Sequence, residues 1–237
     1  MRLTAVRTEI FEEKADLMAF IVRFVPSVAE NTVLAISSKV IALWKGNAVN
    51  YRNHAQKEEL IKEHSQAALK TPLAWLTIKD GMVMTNAGID ESNAKGKLVL
   101  LPDCYNCAQE LRTLLKKAWN VRNLGIVVTD SMILPLRAGV VGAAVGYAGF
   151  YGVKDLRGQQ DIFGKKLQTT LVDVADSLAT SAALLMGEAD EQCPLCIIED
   201  APVVFTDTLN RDEIKYSIEN DLYAPLFRAA KLVEEEK

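Results

Sequence analysis

Two aspartates follow segments whose composition would place their carboxylates at the edge of a ligand crevice. Asp90 lies just after a glycine in NAGIDESN, and Asp130 follows GIVVT, a run typical of a buried strand. Ligands of α/β proteins bind at the carboxyl ends of strands, so Asp130 is well placed for a ligand contact. Carboxylate oxygens are hard ligands that suit Mg²⁺ or Mn²⁺. Spacing alone leaves open a second interpretation, in which each aspartate caps a turn or the next helix.

The four cysteines form two C-x-x-C pairs, Cys104 with Cys107 and Cys193 with Cys196. Two such pairs can close a tetrahedral zinc site. However, the long stretch between the pairs does not match a compact zinc ribbon or finger. In addition, Cys196 lies in an apolar run, where a free cysteine packs as a small hydrophobe. We therefore expect no metal shared by the two pairs, and a Cys₄ zinc scaffold remains the alternative.

The motifs of common nucleotide and histidine chemistry are missing from the sequence. It contains no GxxxxGK[ST], so no P-loop is predicted, and no GxGxxG follows a predicted strand. The two histidines, His54 and His64, lie in one polar stretch. We interpret them as solvated side chains of a helix rather than as metal ligands or members of a catalytic triad.

Strand and helix patterns alternate along the chain, which predicts a mixed α/β or α+β fold. The predicted strands are Thr32–Ser37, Val40–Trp44, Leu98–Leu101, Gly125–Thr129 and Leu195–Ile198, with a hairpin of Leu73–Ile78 and Met82–Thr85 around an Asp80-Gly81 turn. The predicted helices are Gln56–Leu69, Asn106–Trp119, Lys165–Met186 ended by Gly187, and Arg211–Glu236 with an interruption before Pro225. We expect residues 1–237 to form one unit, or two intimately interleaved subdomains, with a C-terminal helical extension at 201–237.

A glycine-rich segment lies in the middle of the chain, with glycines at positions 139, 142, 146, 149 and 152. Each glycine would cost about 1 kcal/mol in a helix interior. The segment is therefore predicted to be extended, with bulges and tight turns and close backbone packing.

The composition argues against several classes of protein. The 237 residues carry a formal charge of −4, and 49% of them are apolar and 24% charged, which rules out global disorder. The mild acidity argues against nucleic acid as the main partner, because phosphate contacts need clustered Lys and Arg. The longest uncharged run, 138–153, is too short and glycine-rich for a membrane helix, and early charges interrupt any secretory pattern. We expect a cytoplasmic protein without nucleic-acid or membrane partners.

Six segments, taken in order, resemble the coenzyme F420-0:L-glutamate ligase (γ-glutamyl ligase) family. They are NAGIDESN (86–93), LVLLPD (98–103), GIVVTDS (125–131), RAGVVGAAVGYAG (137–149), KDLRGQQDIFGKKLQTT (154–170) and ADSLATSAALLMGEA (175–189). The resemblance implies a homodimeric α/β fold of unusual topology without a P-loop. It also implies a ligase that uses GTP to join L-glutamate to a small carboxylate acceptor through an amide bond. The implied ions are Mg²⁺ or Mn²⁺, with K⁺ as an additional candidate.

The resemblance assigns roles to nine residues. The first metal carboxylate of the family falls on Asp90 and the second on Asp130, which makes them the implied catalytic pair around one ion. A second ion is implied at Ser131, where the family usually has Thr, and at Glu188. The positions implied to contact the nucleotide are Ser38, Lys39, Asn93, Met186 and Gly187.

Two stretches depart from the family pattern. ALWKG (42–46) stands where the family usually has Ser-Lys-x-Glu-Gly, so Leu43 replaces a phosphate-facing lysine. ILPLR (133–137) stands in place of Gly-Arg-Pro-Trp-Arg, so Leu134 and Leu136 remove an arginine and the tryptophan. Two lost cations would weaken phosphate binding by several kcal/mol, at about 1.5–3 kcal/mol per charged hydrogen bond. The candidates to compensate are Lys39, Lys45 and Arg137.

The sequence therefore predicts a divergent γ-glutamyl-type ligase that depends on a nucleoside triphosphate and a divalent ion. One alternative is a descendant of the family that binds nucleotide or metal without turnover. Another is a ligase that acts on a folate-like acceptor. The choice between GTP and ATP is left open by the sequence.

Overall fold

The structure, a computed structural model, describes residues 1–232 and shows a mixed α/β fold, as predicted. Its strands are β1 (Arg2–Val6), β2 (Thr32–Ser37), β3 (Ala48–Asn50), β4 (Ala67–Lys70), β5 (Trp75–Lys79), β6 (Met82–Thr85), β7 (Lys97–Val99), β8 (Leu124–Ile133), β9 (Val140–Ala148), β10 (Val153–Asp155), β11 (Leu171–Asp173) and β12 (Leu195–Glu199). Its helices are α1 (Leu17–Phe24), α2 (Ser38–Trp44), α3 (His54–Glu63), α4 (Cys104–Trp119), α5 (Val174–Met186) and α6 (Ala224–Ala229).

The central sheet has the strand order β1-β12-β2-β8-β9, in which β2 and β8 are parallel and the other neighbours antiparallel. Its strands are apolar on both faces because both faces are covered. Leu34, Ile36 and Ile126 pack toward α1 and α4. Val33 and Val127 pack toward α5 on the opposite face. The result is a three-layer sandwich, with the sheet in the middle.

Smaller sheets flank the central one, and they carry the turn that holds Asp90. Strands β4, β5 and β6 form one antiparallel sheet, in which the predicted hairpin around Asp80-Gly81 is confirmed. Strands β3 and β7 form another small sheet, and β10 and β11 pair as a third. The segment between β6 and β7 runs from one flanking sheet to the next, and Asp90 lies in it.

The glycine-rich segment forms an extended edge strand with a bulge, as predicted. Strand β9 carries one extra residue opposite the Val128–Thr129 step of β8, which shifts the register there. A Cβ on Gly142 would lie 2.6 Å from the carbonyl oxygen of Ala179 in α5. A Cβ on Gly146 would overlap the backbone of Cys104 at the start of α4. Glycine therefore lets β9 contact a helix on each face of the sheet.

The prediction of a strand at Val40–Trp44 was wrong, because these residues belong to α2. Short apolar runs of this length do not separate a buried strand from a buried helix by periodicity. Val40 and Ile41 are buried in the core. The helix α2 follows β2 directly along the chain, and β2 is the buried strand of this region.

Two predicted helices are shorter than their apolar spacing suggested. The helix predicted over Lys165–Met186 begins at Val174, because the carboxylate of Asp173 caps it by accepting the N–H of Asp176 at 2.9 Å. The residues of β11 before it pair with β10 instead. The helix predicted over Gln56–Leu69 ends at Glu63, because the following residues form β4 and pair with β5.

The prediction of a helix over Arg211–Glu236 was wrong for most of its described part, residues 211–232. The predicted helix is replaced by a 3₁₀ turn at Ile218–Asn220 and the short α6, which begins beside Pro225. The part of that prediction at 233–237 lies outside the described residues. Within residues 1–232, no helix combines the length and apolar character needed to span a bilayer.

Candidate functional site

The point where β2 ends beside β8 brings the first pair of predicted site residues together. These strands are parallel and in register up to Ser37 and Thr129, so the next residues, Ser38 and Asp130, are neighbours. The hydroxyl of Ser38 donates to Oδ1 of Asp130 at 3.2 Å. The backbone N–H of Ser131 donates to the same oxygen at 3.0 Å. The predicted end of the strand at Thr129 was wrong, because β8 continues to Ile133 and Asp130 pairs with Ala143 of β9. Asp130 instead lies one residue beyond the end of the pairing between β2 and β8.

Asp90 is held beside this point by a turn from the flanking sheets. Its backbone pairs with Val99, donating at 3.1 Å and accepting at 2.8 Å, which extends the β3–β7 sheet by one bridge. Its carboxylate accepts the N–H of Ser92 at 2.8 Å and the hydroxyl of Ser92 at 2.7 Å. This Asx turn fixes the carboxylate relative to the backbone. Gly88, at φ +69°, provides the left-handed residue that the chain needs just before it.

Lys39 joins the two halves of the site. Its ammonium lies 2.8 Å from Oδ2 of Asp90 and donates to the hydroxyl of Ser92 at 2.8 Å. Its side chain is 24% exposed, whereas that of Asp90 is 48% exposed. The ion pair therefore spans from the start of α2 on the central sheet to the turn that carries Asp90.

The two aspartates have opposite shifts in pKa. Burial opposes ionisation of Asp90, but hydrogen bonds from Lys39 and Ser92 outweigh it and hold the pKa of Asp90 below its usual value. Burial raises the pKa of Asp130 to about 6, against the opposing hydrogen bonds from Ser131 and Ser38. The negative charge of Asp90 raises it further. The site thus holds one firmly ionised carboxylate beside one whose ionisation is poised near neutral pH.

A single open cleft of about 670 Å³ contains every residue that the sequence predicted for the site. The predicted residues in its lining are Ser38, Lys39, Asp90, Asn93, Asp130, Ser131, Met186, Gly187 and Glu188. A small void of about 10 Å³ lies between Ser38, Lys39, Asp90 and Asp130. Such a volume is about that of one water-sized sphere.

The end of α5 brings the third segment to the cleft. Gly187 ends the helix at φ +82°, as its place after the apolar run predicted. Glu188 follows it, and its Oε2 accepts the hydroxyl of Ser131 at 2.7 Å. The residues implied for a second ion are therefore in contact, although they lie far apart in the sequence.

The oxygen atoms of this site suit a hard divalent cation that also binds water or phosphate. Asp90 and Asp130 both line the small void, and the polar side-chain groups of its lining apart from the Lys39 ammonium are oxygens. Within residues 1–232, no three Asp, Glu, His or Cys side chains converge closely enough to hold an ion by themselves. An ion at this place would complete its shell with water and phosphate oxygens, as Mg²⁺ usually does. The four cysteines are free thiols, and Cys104 and Cys107 lie in α4 while Cys196 lies in β12.

Two residues near the aspartates were not predicted from the sequence: Ser92, which contacts Asp90, and Lys79, which lies near Asp130 without lining the cleft. Ser92 could have been found, because Asp-x-Ser is a pattern in which the aspartate accepts from the residue two positions on. Lys79 had no sequence signal. It is half-buried and donates to the carbonyl of Leu101 at 3.2 Å. Burial lowers the pKa of Lys79, and the nearby carboxylates of Asp80 and Asp130 oppose that shift.

The structure shows where a residue that replaces a cation of the family pattern lies, and where the candidates to compensate lie. Leu43 lines the cleft, where the family pattern has a lysine. Of the candidates to compensate, Lys39 lines the cleft. Lys45 instead pairs with Glu110 at 2.6 Å, and Arg137 is exposed in the turn between β8 and β9.

Comparison with known proteins identifies a matching family. The family model for F420-0:gamma-glutamyl ligase matches residues 5–200. The chain belongs to this family. The resemblance found in the sequence is thereby confirmed, and the matched residues include every member of the candidate site.

Curated relatives in the F420-0:gamma-glutamyl ligase family share a third or more of the aligned residues. The coenzyme F420:L-glutamate ligase of Methanococcus maripaludis (strain C7) is 40% identical over 138 residues, which are 58% of this chain and 55% of the relative. The enzyme of the same name from Methanocaldococcus jannaschii is 41% identical over 138 residues, with the same coverage. That from Archaeoglobus fulgidus is 34% identical over 167 residues, 70% of this chain and 66% of the relative. The chain thus spans about half the length of the first two relatives.

Proposed function

We propose that this protein is a ligase that joins L-glutamate to a small carboxylate acceptor and depends on a nucleoside triphosphate and Mg²⁺ or Mn²⁺. The observation that carries the proposal is the position of Asp90 and Asp130 on one small void inside the larger cleft. Paired carboxylates that leave room for phosphate oxygens are typical of phosphoryl-transfer sites. Membership of the F420-0:gamma-glutamyl ligase family supports the amide-forming reaction.

Each side chain of the cleft has a role in this proposal. Asp90 and Asp130 hold one ion, and Ser131 with Glu188 hold the second. Lys39 and Asn93 contact the nucleotide, with Ser38 and the 186–187 backbone beside them. Bound ions would neutralise the phosphate charge and help to align the γ-phosphoryl group with its acceptor.

The proposed reaction has two steps. An acceptor carboxylate oxygen bonds to the γ-phosphorus as the bond to the nucleoside diphosphate breaks, which gives an acyl phosphate. The amine of glutamate then attacks the acyl carbon, phosphate leaves, and the amine loses a proton as the amide forms. The cleft's 670 Å³ is within the usual range for small-molecule sites.

The acceptor is the part of the proposal that the departures from the family affect most. The curated relatives are named for coenzyme F420, so the first acceptor to test is F420-0. Leu134 and Leu136 stand where the family usually has an arginine and a tryptophan. A folate-like or other small carboxylate is therefore the second acceptor class.

Nucleotide binding without turnover is the second candidate function, and one observation favours it. Leu43 is an apolar side chain in the cleft wall where the family pattern has a cation. A missing phosphate contact of this kind lowers transition-state stabilisation more than it lowers binding when charge develops during transfer.

The decisive experiment is a reaction with all substrates and single omissions. The purified protein is incubated with Mn²⁺ or Mg²⁺, GTP or ATP, L-glutamate, and either F420-0 or a folate, and products are measured by mass spectrometry. The proposal expects repeated turnover, with nucleoside diphosphate in excess of the protein, only when both acceptor and glutamate are present, together with an acceptor that gains one glutamyl residue. Nucleotide binding without product from any combination would support the non-catalytic function instead.

Matched variants connect this activity to the cleft. Asp130→Asn should abolish product formation, because it removes a charge from the small void. Asp200→Asn is the control, since it makes the same chemical change at an exposed residue outside the cleft lining. Asp200 also has φ +52°, a conformation that asparagine adopts readily.

A further inference from the structure

The carboxylate of Asp90 is already occupied by donors in this structure. Its Oδ1 accepts the N–H of Ser92 at 2.8 Å. Its Oδ2 accepts the hydroxyl of Ser92 at 2.7 Å and lies 2.8 Å from the ammonium of Lys39. A cation that approaches Asp90 from the cleft therefore meets a positive charge already in contact with the carboxylate.

Asp130 is arranged differently from Asp90. Its hydrogen bonds from Ser38 and Ser131 both end on Oδ1. Among the described residues, Oδ2 of Asp130 accepts no such bond, so it is available for another ligand. An ion that touches both aspartates would then be limited by access to Asp90 rather than by access to Asp130.

Of the donors on Asp90, Lys39 is the one that can leave. The N–H of Ser92 is fixed by the turn, and the hydroxyl of Ser92 belongs to the same turn. Lys39 carries its charge on a flexible four-carbon stem, and its ammonium also borders the small void. An ammonium and a divalent ion on one carboxylate would repel each other strongly at this separation.

We propose that Lys39 is an internal counter-ion of Asp90, which takes the cation position while no divalent ion is bound and leaves it when the ion enters. This inference rests on the proposed function, because it takes Asp90 as part of the ion site. Lys39 thereby has one role before the ion binds and another afterwards. It relieves repulsion between Asp90 and Asp130 in the empty site, and its released ammonium becomes free to contact a nucleotide phosphate.

In this proposal Lys39 competes with the metal ion for Asp90, so its removal should raise Mn²⁺ affinity. Removal of a residue that only supports the structure of the site should lower that affinity. Removing its charge while keeping its length, in Lys39→Met, should tighten binding of Mn²⁺ alone by about fivefold, the upper end of the effect of one partly exposed ion pair. Lys39→Arg keeps the charge and should bind Mn²⁺ within about twofold of the wild type.

The test is a titration of Mn²⁺, without nucleotide, followed by electron paramagnetic resonance of the free ion. Lys95→Met is the matched control, because Lys95 also lines the cleft but pairs with Glu12 at 2.7 Å rather than with Asp90. It should leave Mn²⁺ affinity nearly unchanged. Thermal unfolding is measured for each variant, and Lys39→Gln replaces Lys39→Met if the latter does not fold.

The outcomes separate this inference from the proposed function. Equal or weaker Mn²⁺ binding by Lys39→Met, with Asp130→Asn still defective, would overturn the counter-ion role and leave the ion site standing. A gain in Mn²⁺ affinity in Lys95→Met as large as that in Lys39→Met would also overturn it, since the gain would then come from the loss of any positive charge in the cleft. If the wild type does not bind Mn²⁺, or if Asp130→Asn binds it as tightly as the wild type, the inference and the proposed ion site are both contradicted.

Discussion

Individual residues of the cleft are tuned by a few named contacts. Asp90 and Asp130 are chemically identical, yet Lys39 and Ser92 hold the pKa of Asp90 low while burial raises that of Asp130 to about 6. Such divergence between two acids of one site is frequent at functional sites, although structural ion pairs also cause it. Here it means that only Asp130 changes charge across the range in which most enzymes work.

Mn²⁺ affinity is expected to rise with pH and then to level off above about pH 6. A proton and the ion compete for Asp130, and the ionised fraction of a group with a pKa of about 6 grows roughly tenfold between pH 5 and pH 7. Asp90 adds little in this window, because its pKa is lowered. Calorimetric titration of Mn²⁺ at pH 5, 6, 7 and 8 measures the effect. Affinity that is flat or falling across this range would contradict the assignment of Asp130 as a ligand.

At the scale of elements, close contact between β9 and its two helices keeps the sheet edge in place beside the site. Gly142 lies against Ala179 and Ala183 of α5, and Gly146 lies against the first turn of α4. Strand β9 pairs with β8, which carries Asp130 and Ser131. The packing of these glycines therefore supports the backbone that presents the site.

Gly142→Ala is expected to lower the free energy of unfolding by about 1–3 kcal/mol, the usual effect of overpacking a tight contact. The added Cβ would lie 2.5 Å from the Cβ of Ala183 and 2.6 Å from a carbonyl oxygen, so α5 must shift. Gly139→Ala serves as a control, because its Cβ meets nothing within 4 Å and only its positive φ is strained. Urea unfolding measures both. A wild-type midpoint for Gly142→Ala would show that β9 and α5 are not in this contact.

The elements that could be predicted from sequence were those with strong local signals. The Asp80-Gly81 turn, the apolar face of α4 and the Ile/Val run of β8 each determine their structure locally. The start of α5 could not be found from apolar spacing, because the pairing of β11 with β10 and the Asp173 cap decide it. The α2 helix could not be found either, because a short apolar run fits a buried strand and a buried helix equally well. The contact between Lys39 and Asp90 depends on two sheets meeting, which no local pattern encodes.

At the scale of the whole molecule, the segment after residue 200 contacts the family-matched part through apolar side chains such as Phe205 and through charged and polar pairs. Asp207 lies 2.6 Å from the buried guanidinium of Arg112, and Glu213 accepts the hydroxyl of Tyr147 at 2.7 Å. These contacts come from residues beyond the 5–200 match. They reach α4 through Arg112 and β9 through Tyr147.

We propose that the protein is a homodimer, as the sequence resemblance implied, and the exposed end of the β8–β9 hairpin supports a contact there. Leu136 is fully exposed, and Ile133, Leu134 and Val140 beside it are each more than 40% exposed. Clustered apolar side chains of this kind often mark interaction surfaces. Light scattering after gel filtration should give twice the mass of one chain.

Substitution tests the position of that contact. Leu136→Lys is expected to shift the protein toward monomer, because it places a charge in an apolar interface. Leu73→Lys, at another highly exposed leucine in a different part of the chain, should leave the mass unchanged. A wild-type protein that elutes with the mass of one chain at tens of micromolar would contradict the dimer.

The central claim is that Asp130 and Asp90 bind one divalent ion, and calorimetric titration of Mn²⁺ into wild type and Asp130→Asn tests it most directly. Oδ1 of asparagine can still accept from Ser38 and Ser131, so the local hydrogen bonds survive the change. Burial raises the pKa of Asp130, which means that its ionisation above pH 6 opposes folding. Asp130→Asn should therefore unfold at the wild-type temperature or higher at pH 8.

The account predicts that Asp130→Asn loses most of its Mn²⁺ affinity at pH 8, whereas Asp200→Asn binds as the wild type does. The unchanged thermal unfolding of Asp130→Asn would show that the loss comes from the ligand and not from the fold. Wild-type Mn²⁺ affinity in a folded Asp130→Asn protein would contradict the ion site and remove the main support for the proposed ligase.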